Sequence, residues 1–221
     1  MTITQRYAQL RAAVPPHVTI VAVTKFQPIE AVREALAAGV TDVGENYVQE
    51  ARGKYEGVTG VRRHFIGHVQ TNKAKAILAA FDAVQSVDRA DAAAALAKAA
   101  SALERRLPVL LQLNISPAER FGCAPADAPE LAERIRSYAS LDLQGVMAIG
   151  PITRDESAIA RAFQTAAGVF ERVGGATLSL GMSADWRLAV EAGSTMIRVG
   201  STIFGPRPPR PASKTTATPS R

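Results

Sequence analysis

Short apolar segments rich in β-branched residues alternate along this chain with longer, alanine-rich segments of helical period. VTIVAVT, from Val18 to Thr24, and PVLLQLNI, from Pro108 to Ile115, are typical strand segments, whereas RADAAAALAKAASALERR between them is typical of a helix. Strands that alternate with helices form parallel sheets with crossover connections. The alternation therefore places the chain in the α/β class.

The number of strand segments indicates which α/β architecture the chain adopts. Eight segments qualify, namely residues 18–24, 41–44, 63–67, 83–87, 108–115, 143–149, 177–181 and 195–200. Eight strands with short loops in a chain of this length favour a closed (β/α)8 barrel of the TIM type. An open, doubly wound sheet would give a similar alternation and is the alternative. We predict a single (β/α)8 barrel over residues 1–206.

The C-terminal segment RPPRPASKTTATPSR differs from the rest in composition and charge. It is rich in Pro, Ser and Thr and lacks large apolar side chains, so we predict a disordered tail over residues 207–221. The tail holds four basic and no acidic residues, which leaves 22 basic against 20 acidic residues elsewhere. A body so nearly neutral is a poor surface for nucleic acid, and we expect none to bind.

The N-terminus and the single cysteine bear on localisation. MTITQRYAQLRAAVPP has no basic stretch followed by an apolar core, and no apolar run in the chain is long enough to span a bilayer. Cys123 alone excludes an internal disulfide framework and a cysteine-rich metal site. We therefore expect a cytoplasmic protein without membrane contact.

Lys25 is the first candidate functional residue. Active sites of such barrels gather at the carboxyl ends of the strands, and Lys25 directly follows the first strand segment. Burial there would lower the pKa of its ammonium, and a neutral amine is what a Schiff base requires. An ion pair with Glu45 at the barrel mouth is the alternative. We interpret the other five lysines as solvated charges.

Two turns near the C-terminus are candidate phosphate sites. RVGSTIFG ends a strand at Gly200 and begins a helical turn with Ser201, and GMSADW places Ser183 just after strand seven. Backbone N–H groups and hydroxyls at such positions bind phosphate in barrels of this type. Plain helix capping is the alternative interpretation.

Other polar residues near strand ends have simpler first interpretations. Asn46 follows strand two, where helix capping is the default, and Met147 in strand six is first a core residue. His64 and His68 lack a third ligand at a suitable spacing, so we expect no metal. Arg198 lies among apolar residues in strand eight and requires a hydrogen-bond acceptor or an aromatic ring.

Six motifs in one order connect these residues with a known family. The chain resembles the pyridoxal 5'-phosphate (PLP) homeostasis proteins, also called the proline synthetase co-transcribed family, which are related to the barrel domain of alanine racemase. The motifs are VAVTK, GENYVQE, HFIGHVQTNK, GVMAI, GMSADW and GSTMIRVGSTIFG. The resemblance runs from the first strand to Gly205 and implies a fold-type III PLP protein. Arg120 departs from the family, which has a lysine-like residue there.

The resemblance implies a role for each candidate residue. It implies that PLP forms an internal aldimine with Lys25. It implies phosphate contacts through the residues of the two C-terminal turns, Ser183, Gly200 and Ser201. It places four residues around the pyridine ring, with the arginine at the ring nitrogen: Asn46, His64, Met147 and Arg198.

The resemblance also implies vitamin B6 homeostasis. The favoured hypothesis is that the chain carries or buffers PLP for apo-PLP enzymes with little turnover, and we expect a monomer. An arginine at the pyridine nitrogen agrees with this, because it makes PLP a weaker electron sink. A racemase or decarboxylase of low activity is the alternative, and racemisation would need a second acid/base, for which Tyr47 is a candidate. A Schiff-base aldolase for sugar phosphates, with Glu45 as proton donor, is a further alternative.

Overall fold

The structure, a computed structural model, describes residues 1–118 and 120–206. Its eight strands are hydrogen-bonded in parallel in the order of the sequence, and the first pairs with the eighth, which closes a barrel. The predicted (β/α)8 barrel is therefore confirmed, and the open sheet is wrong. The predicted disordered tail, residues 207–221, lies outside the described residues.

The strands agree with the predicted segments to within two residues at either end. Their bounds are β1 Thr19–Val23, β2 Asp42–Glu45, β3 Arg62–Phe65, β4 Ala83–Val87, β5 Leu107–Asn114, β6 Leu141–Ile149, β7 Thr177–Ser179 and β8 Met196–Val199. Because the strands are parallel, their carboxyl ends all open on one face, which we call the mouth. The candidate residues at these strand ends are thereby brought to one side of the molecule.

Helices surround the barrel in the part of the chain that the structure describes. They are α1 Ile3–Ala13, α2 Ile29–Ala37, α3 Val48–Lys54, α4 Ala74–Ala80, α5 Ala90–Ser101, α6 Ala128–Arg136, α7 Glu156–Val173, α8 Trp186–Glu191 and α9 Ser201–Phe204, with a 3-10 turn at Thr71–Lys73. Helix α1 is absent from our prediction, although Thr2 and Gln5 form a capping box at its start. Helix α1 packs against α2 and α9.

The barrel has an apolar outer layer and an interior in which polar side chains lie among apolar ones. Apolar strand residues such as Val43, Phe65 and Leu111 are buried in the core cluster that the helices cover. Inside the barrel, the Ser179 hydroxyl on β7 donates to Gln85 on β4 at 2.8 Å. Strands β4 and β7 are not neighbours, so this hydrogen bond crosses the interior. Polar groups inside the barrel can therefore connect opposite walls.

A bidentate ion pair lies at the amino-terminal end of strands β3 and β4, on the face opposite the mouth. The guanidinium of Arg63 on β3 donates to both carboxylate oxygens of Asp82 at 2.9 Å, and its amide donates at 2.8 Å. Burial raises the pKa of Asp82, but the hydrogen bonds and charge of Arg63 outweigh it and hold the pKa below its ordinary value. The pair therefore ties the start of β3 to the segment before β4.

Asp82→Asn is expected to make the protein less sensitive to acid. The depressed pKa of Asp82 gives a stability contribution that is present above about pH 4, the unfolded value, and is lost as the pH falls through the folded value. Urea unfolding at pH 7 and at about pH 2.5, below the unfolded pKa, should show a smaller acid-induced loss in the variant. Glu133→Gln, which alters an exposed pair with Arg136, is the control and should behave as wild type.

Candidate cofactor site at the barrel mouth

Lys25 lies in a tight turn just beyond the carboxyl end of β1, and it is partly buried. The Thr24 amide donates to the carbonyl of Gly44 on β2 at 3.0 Å. The next residue, Phe26, has a left-handed backbone with φ of 63°, which is uncommon for an aromatic residue. Its amide donates to Glu50 Oε2 at 2.9 Å, which stabilises that conformation. The main chain on both sides of Lys25 is therefore fixed, as is common at functional sites.

A buried network of ion pairs and hydrogen bonds stabilises the turn that holds Lys25. Glu45 at the end of β2 is fully buried and accepts from Lys54 Nζ at 2.7 Å and from the Thr24 hydroxyl at 2.8 Å. Lys54 Nζ also donates to the Thr24 carbonyl at 2.6 Å and to Glu50 Oε2 at 3.0 Å. Our interpretation of Lys54 as a solvated charge is wrong, because its side chain is only 12% exposed.

The electrostatics of the network follow from its burial. Burial raises the pKa of Glu45, and hydrogen bonds from Lys54 and Thr24 offset part of that rise. Burial and the charge of Glu45 also raise the pKa of Tyr55, whose hydroxyl contacts that of Thr24. Tyr55 therefore stays neutral at physiological pH. The network supports the Lys25 turn and does not itself supply a phenolate base.

Two turns at the ends of β7 and β8 meet at Ser183. Its Oγ accepts from the amides of Gly200 at 3.1 Å and Thr202 at 3.3 Å, so it caps the start of α9. No hydrogen bond from the Ser201 amide is found in the part of the chain that the structure describes. The Ser201 amide and the hydroxyl hydrogens of Ser183 and Ser201 remain as donors at this helix start, and donors there favour an anion. This corner, which we call the phosphate corner, can therefore hold a phosphate group.

Arg198 on β8 is buried inside the barrel. Its Nη1 donates to the carbonyl and the hydroxyl of Ser179 at 2.8 and 2.6 Å, and its Nη2 donates to the Ala148 carbonyl at 2.8 Å. The acceptors that a buried arginine requires are thus present, as predicted. Burial lowers the pKa of Arg198 to about 10, although the charge of Asp185 opposes the change. The guanidinium remains a cation at neutral pH.

The structure overturns the first interpretation of Asn46 and agrees with that of Met147 as a buried residue. The N-cap of α3 is Tyr47 and no side chain caps that helix, so the capping interpretation of Asn46 is wrong. The Oδ1 atom of Asn46 is buried without a hydrogen-bond partner among the described residues. An orphaned acceptor of this kind is what a ligand donor would satisfy. Met147 is fully buried in β6, in register with Ser179.

His64 lies deeper in the barrel than the residues at the mouth. It is in register with Ala83, the first residue of β4, and it is 2% exposed. Its Nε2 lies 2.9 Å from Asp42 Oδ1 and its Nδ1 lies 3.0 Å from Gln85 Nε2. Both ring nitrogens are therefore engaged by protein groups.

A cavity of about 860 Å³ opens at the mouth beside Asn46. Its walls include Tyr47, Gln112 and a stacked pair formed by His68 and Phe121, whose ring centroids are 3.8 Å apart. The part of the mouth next to β2, β3 and β5 therefore has room for a small molecule, and Asn46 is the candidate site residue in its lining. Within residues 1–118 and 120–206, no three His, Cys, Asp or Glu residues are grouped to hold a metal ion. No helix there combines the length and apolar character that crossing a membrane requires.

Comparisons with known proteins agree with this geometry. The sequence matches the family described as the N-terminal domain of alanine racemase over residues 1–208. It is 42% identical over 205 residues to a pyridoxal phosphate homeostasis protein of Pseudomonas aeruginosa, covering 90% of this chain and 89% of that protein. The corresponding protein of Escherichia coli K12 is 39% identical over 207 residues, with 87% of each chain covered.

Solved structures of similar proteins have the same barrel fold. PipY of Synechococcus elongatus PCC7942, solved with PLP bound, has a TM-score of 0.87 and 34% identity, covering 92% of this chain and all of PipY. Alanine racemase of Clostridium difficile 630 has a TM-score of 0.79 at 14% identity, and 57% of that chain is covered, so it shows the fold alone.

The family match over residues 1–208 places this eight-stranded parallel barrel in the class of the alanine racemase N-terminal domain. Within that class, the chain belongs to the pyridoxal phosphate homeostasis protein family.

Several supporting residues were not identified from the sequence. Lys54 and Tyr55 beneath the Lys25 turn, and Gln85 and Ser179 inside the barrel, contact candidate residues through tertiary contacts only. The sequence contains only a weak indication of these supporting residues. Gln85 and Ser179 are polar residues inside strand segments, where a buried polar side chain needs a partner.

Proposed function

We propose that this chain binds PLP covalently through Lys25 and serves PLP homeostasis as a carrier or buffer of the cofactor. The observation that carries the proposal is the arrangement of the site, in which the fixed turn of Lys25, the phosphate corner and the buried Arg198 lie at or below one barrel mouth. The names of the related proteins and the PLP bound to PipY support it. The orphaned Oδ1 of Asn46 also fits a bound ligand at the mouth.

Each part of the cofactor has a matching group in the chain. Lys25 provides the amine for the aldehyde carbon. The phosphate is held by the groups of the phosphate corner, Ser183, Gly200 and Ser201. Asn46, Met147 and Arg198 would surround the pyridine ring, with His64 below them, and Arg198 would hold the ring at its nitrogen.

The charge of Arg198 favours carriage over turnover. PLP, when bound, supplies an electron sink whose strength depends on protonation of its ring nitrogen. A cationic guanidinium disfavours a proton on a neighbouring nitrogen, and Arg198 is cationic at neutral pH because burial lowers its pKa only to about 10. Arg198 therefore weakens carbanion chemistry while it helps to hold the ring.

The proposal extends to the setting in which the chain acts. We propose that residues 1–206 form the PLP-binding unit, that the protein acts as a monomer in the cytoplasm, and that apo-PLP enzymes receive the cofactor. The nearly neutral body of the barrel argues against nucleic acid as a partner. The single cysteine agrees with a reducing compartment.

The test is the visible absorbance of the purified protein before and after borohydride reduction, followed by tryptic mapping. We expect a yellow protein whose reduced cofactor lies on Lys25, so that trypsin no longer cleaves there and the labelled peptide spans residues 12–33. A colourless protein that takes up no added PLP would overturn the proposal. Preferential binding of a phosphosugar would then favour the aldolase-like alternative.

A further inference from the structure

We propose that a hydrogen-bonded chain through the barrel interior, formed by Asp42, His64, Gln85 and Ser179, positions Arg198 below the cofactor ring. This inference rests on the proposed function for its consequence, but the hydrogen-bonded chain itself does not depend on PLP. We call these four residues the positioning chain. They connect the amino-terminal end of β2 with the guanidinium on β8.

The contacts of the positioning chain are continuous. Arg198 Nη1 donates to Ser179 Oγ at 2.6 Å, and Ser179 Oγ donates to Gln85 Oε1 at 2.8 Å. Gln85 Nε2 lies 3.0 Å from His64 Nδ1, and His64 Nε2 lies 2.9 Å from Asp42 Oδ1. Ser179, Gln85 and His64 are each at most 2% exposed. The three bonds from Arg198 to His64 therefore lie in a region that water hardly reaches, and the Asp42 side chain at the end is 14% exposed.

The carboxylate at one end sets the direction of every bond. Asp42 stays ionised, because hydrogen bonds from His64 and Thr41 outweigh its burial and lower its pKa. An ionised carboxylate only accepts, so His64 donates from Nε2, and in the singly protonated ring that we assign to His64 the Nδ1 atom accepts. Gln85 must then donate to His64, which turns its Oε1 towards Ser179. The Ser179 hydrogen is consequently used, and its lone pairs face Arg198.

A second contact holds the side-chain amide of Gln85 in this orientation. Its Nε2 also approaches the sulfur of Met196 at 3.2 Å, so both amide hydrogens have an acceptor. A flipped amide would face Met196 and His64 Nδ1 with an oxygen, which has no proton to give. With a singly protonated His64, only this orientation of the Gln85 amide satisfies both Met196 and His64 Nδ1.

The positioning chain orients side-chain groups but does not conduct protons. A side-chain amide donates and accepts hydrogen bonds, but it cannot pass a proton on without changing its covalent form, so Gln85 interrupts any transfer. The role that remains is positional. Arg198 forms no ion pair among the described residues, and its described acceptors are uncharged oxygens of Ala148 and Ser179. A fixed Ser179 hydroxyl is therefore one of the few constraints on the guanidinium.

The direct test is nitrogen NMR of Arg198 without PLP. In wild type, immobilised Nη hydrogens should give resolved, slowly exchanging signals, assigned by their loss in Arg198→Lys. Ser179→Ala and Gln85→Leu should remove or broaden these signals. Ser194→Ala is the control, because Ser194 is equally buried but its hydroxyl donates only to backbone carbonyls outside the positioning chain. Sharp Arg198 signals in Ser179→Ala would overturn the inference.

A second measurement uses the three histidines. With ¹⁵N-labelled histidine, the signal that disappears in His64→Gln should show a protonated Nε2 and a bare Nδ1 in wild type. The opposite tautomer would contradict the bond directions. Both NMR measurements remain decisive if the protein does not bind PLP, so failure of the inference is distinguishable from failure of the proposed function.

The consequence for the cofactor is measured separately. Ser179→Ala should release PLP about tenfold faster than wild type, since one hydrogen bond to a charged group is lost, and should shift the absorbance maximum of the bound form. Ser194→Ala should lower thermal stability but leave the spectrum and the release rate unchanged. If the wild-type protein binds PLP but the two variants have equal release rates and spectra, the positioning chain does not act on the cofactor.

Discussion

Lys25→Ala is expected to abolish borohydride-stable labelling of the protein by PLP while the barrel stays folded. The labelling requires an amine at the mouth, and alanine has none. The turn itself should persist, because it is held through the backbone of Thr24 and Phe26 and through the ion pair of Lys54 with Glu45. Weak, reversible binding through the phosphate corner should remain. Absorbance, mass spectrometry after reduction and circular dichroism measure the three effects.

A lysine far from the mouth provides the matched control. Lys98 is exposed on α5, and Lys98→Ala should retain the wild-type spectrum and full labelling. Equal labelling of Lys25→Ala and wild type would place the covalent attachment elsewhere. In that case the tryptic map would identify the lysine that carries PLP.

The fold was predictable because its signal is local and repeated. Each strand segment is a short β-branched run between helical segments, so errors at individual boundaries do not alter the count of eight. Helix α1 was missed because its sequence, ITQRYAQLRAA, is polar overall and buries few residues. Its capping box at Thr2 and Gln5 was a readable signal that apolar periodicity alone does not detect.

The positions of the candidate site residues were partly predictable, and their partners were not. The end of β1 marks Lys25, and the apolar surroundings of Arg198 indicate that it needs an acceptor. That Ser179 and Ala148 supply the acceptors depends on how β6, β7 and β8 close together. Closure of a barrel joins residues that are distant in the sequence, and periodicity carries no information about such pairs.

Lys54 is a second residue whose partners the sequence pattern does not predict. Glu50 and Lys54 are four residues apart on α3, a spacing that usually indicates a solvated pair on a helix surface. The structure instead places Lys54 over the buried Glu45, which comes from the end of β2. The position of α3 against the barrel, a tertiary property, turns an ordinary surface lysine into the cation that supports the Lys25 turn.

Lys54→Met should therefore have the largest effect on stability of any substitution proposed for this chain. Removal of one partner of a buried ion pair typically costs roughly 3–5 kcal/mol, and Glu45 is fully buried. The melting temperature should fall by on the order of 10 °C. PLP labelling should also weaken, because Lys54 holds the Thr24 carbonyl next to Lys25. Thermal unfolding and labelling of Lys75→Met, which alters an exposed lysine on α4, provide the control.

The pH dependence of this loss distinguishes an electrostatic cause from simple repacking. Burial already raises the pKa of Glu45, and removal of the Lys54 ammonium should raise it further. A carboxyl whose folded pKa is raised binds its proton more tightly in the folded state, so stability falls as the pH rises from the unfolded pKa to the folded pKa. The deficit of Lys54→Met should thus be smaller at pH 5 than at pH 8, and adding Glu45→Gln should recover much of it. A deficit that is the same at both pH values, and that Glu45→Gln does not reduce, would mean that the pair contributes packing and no charge compensation.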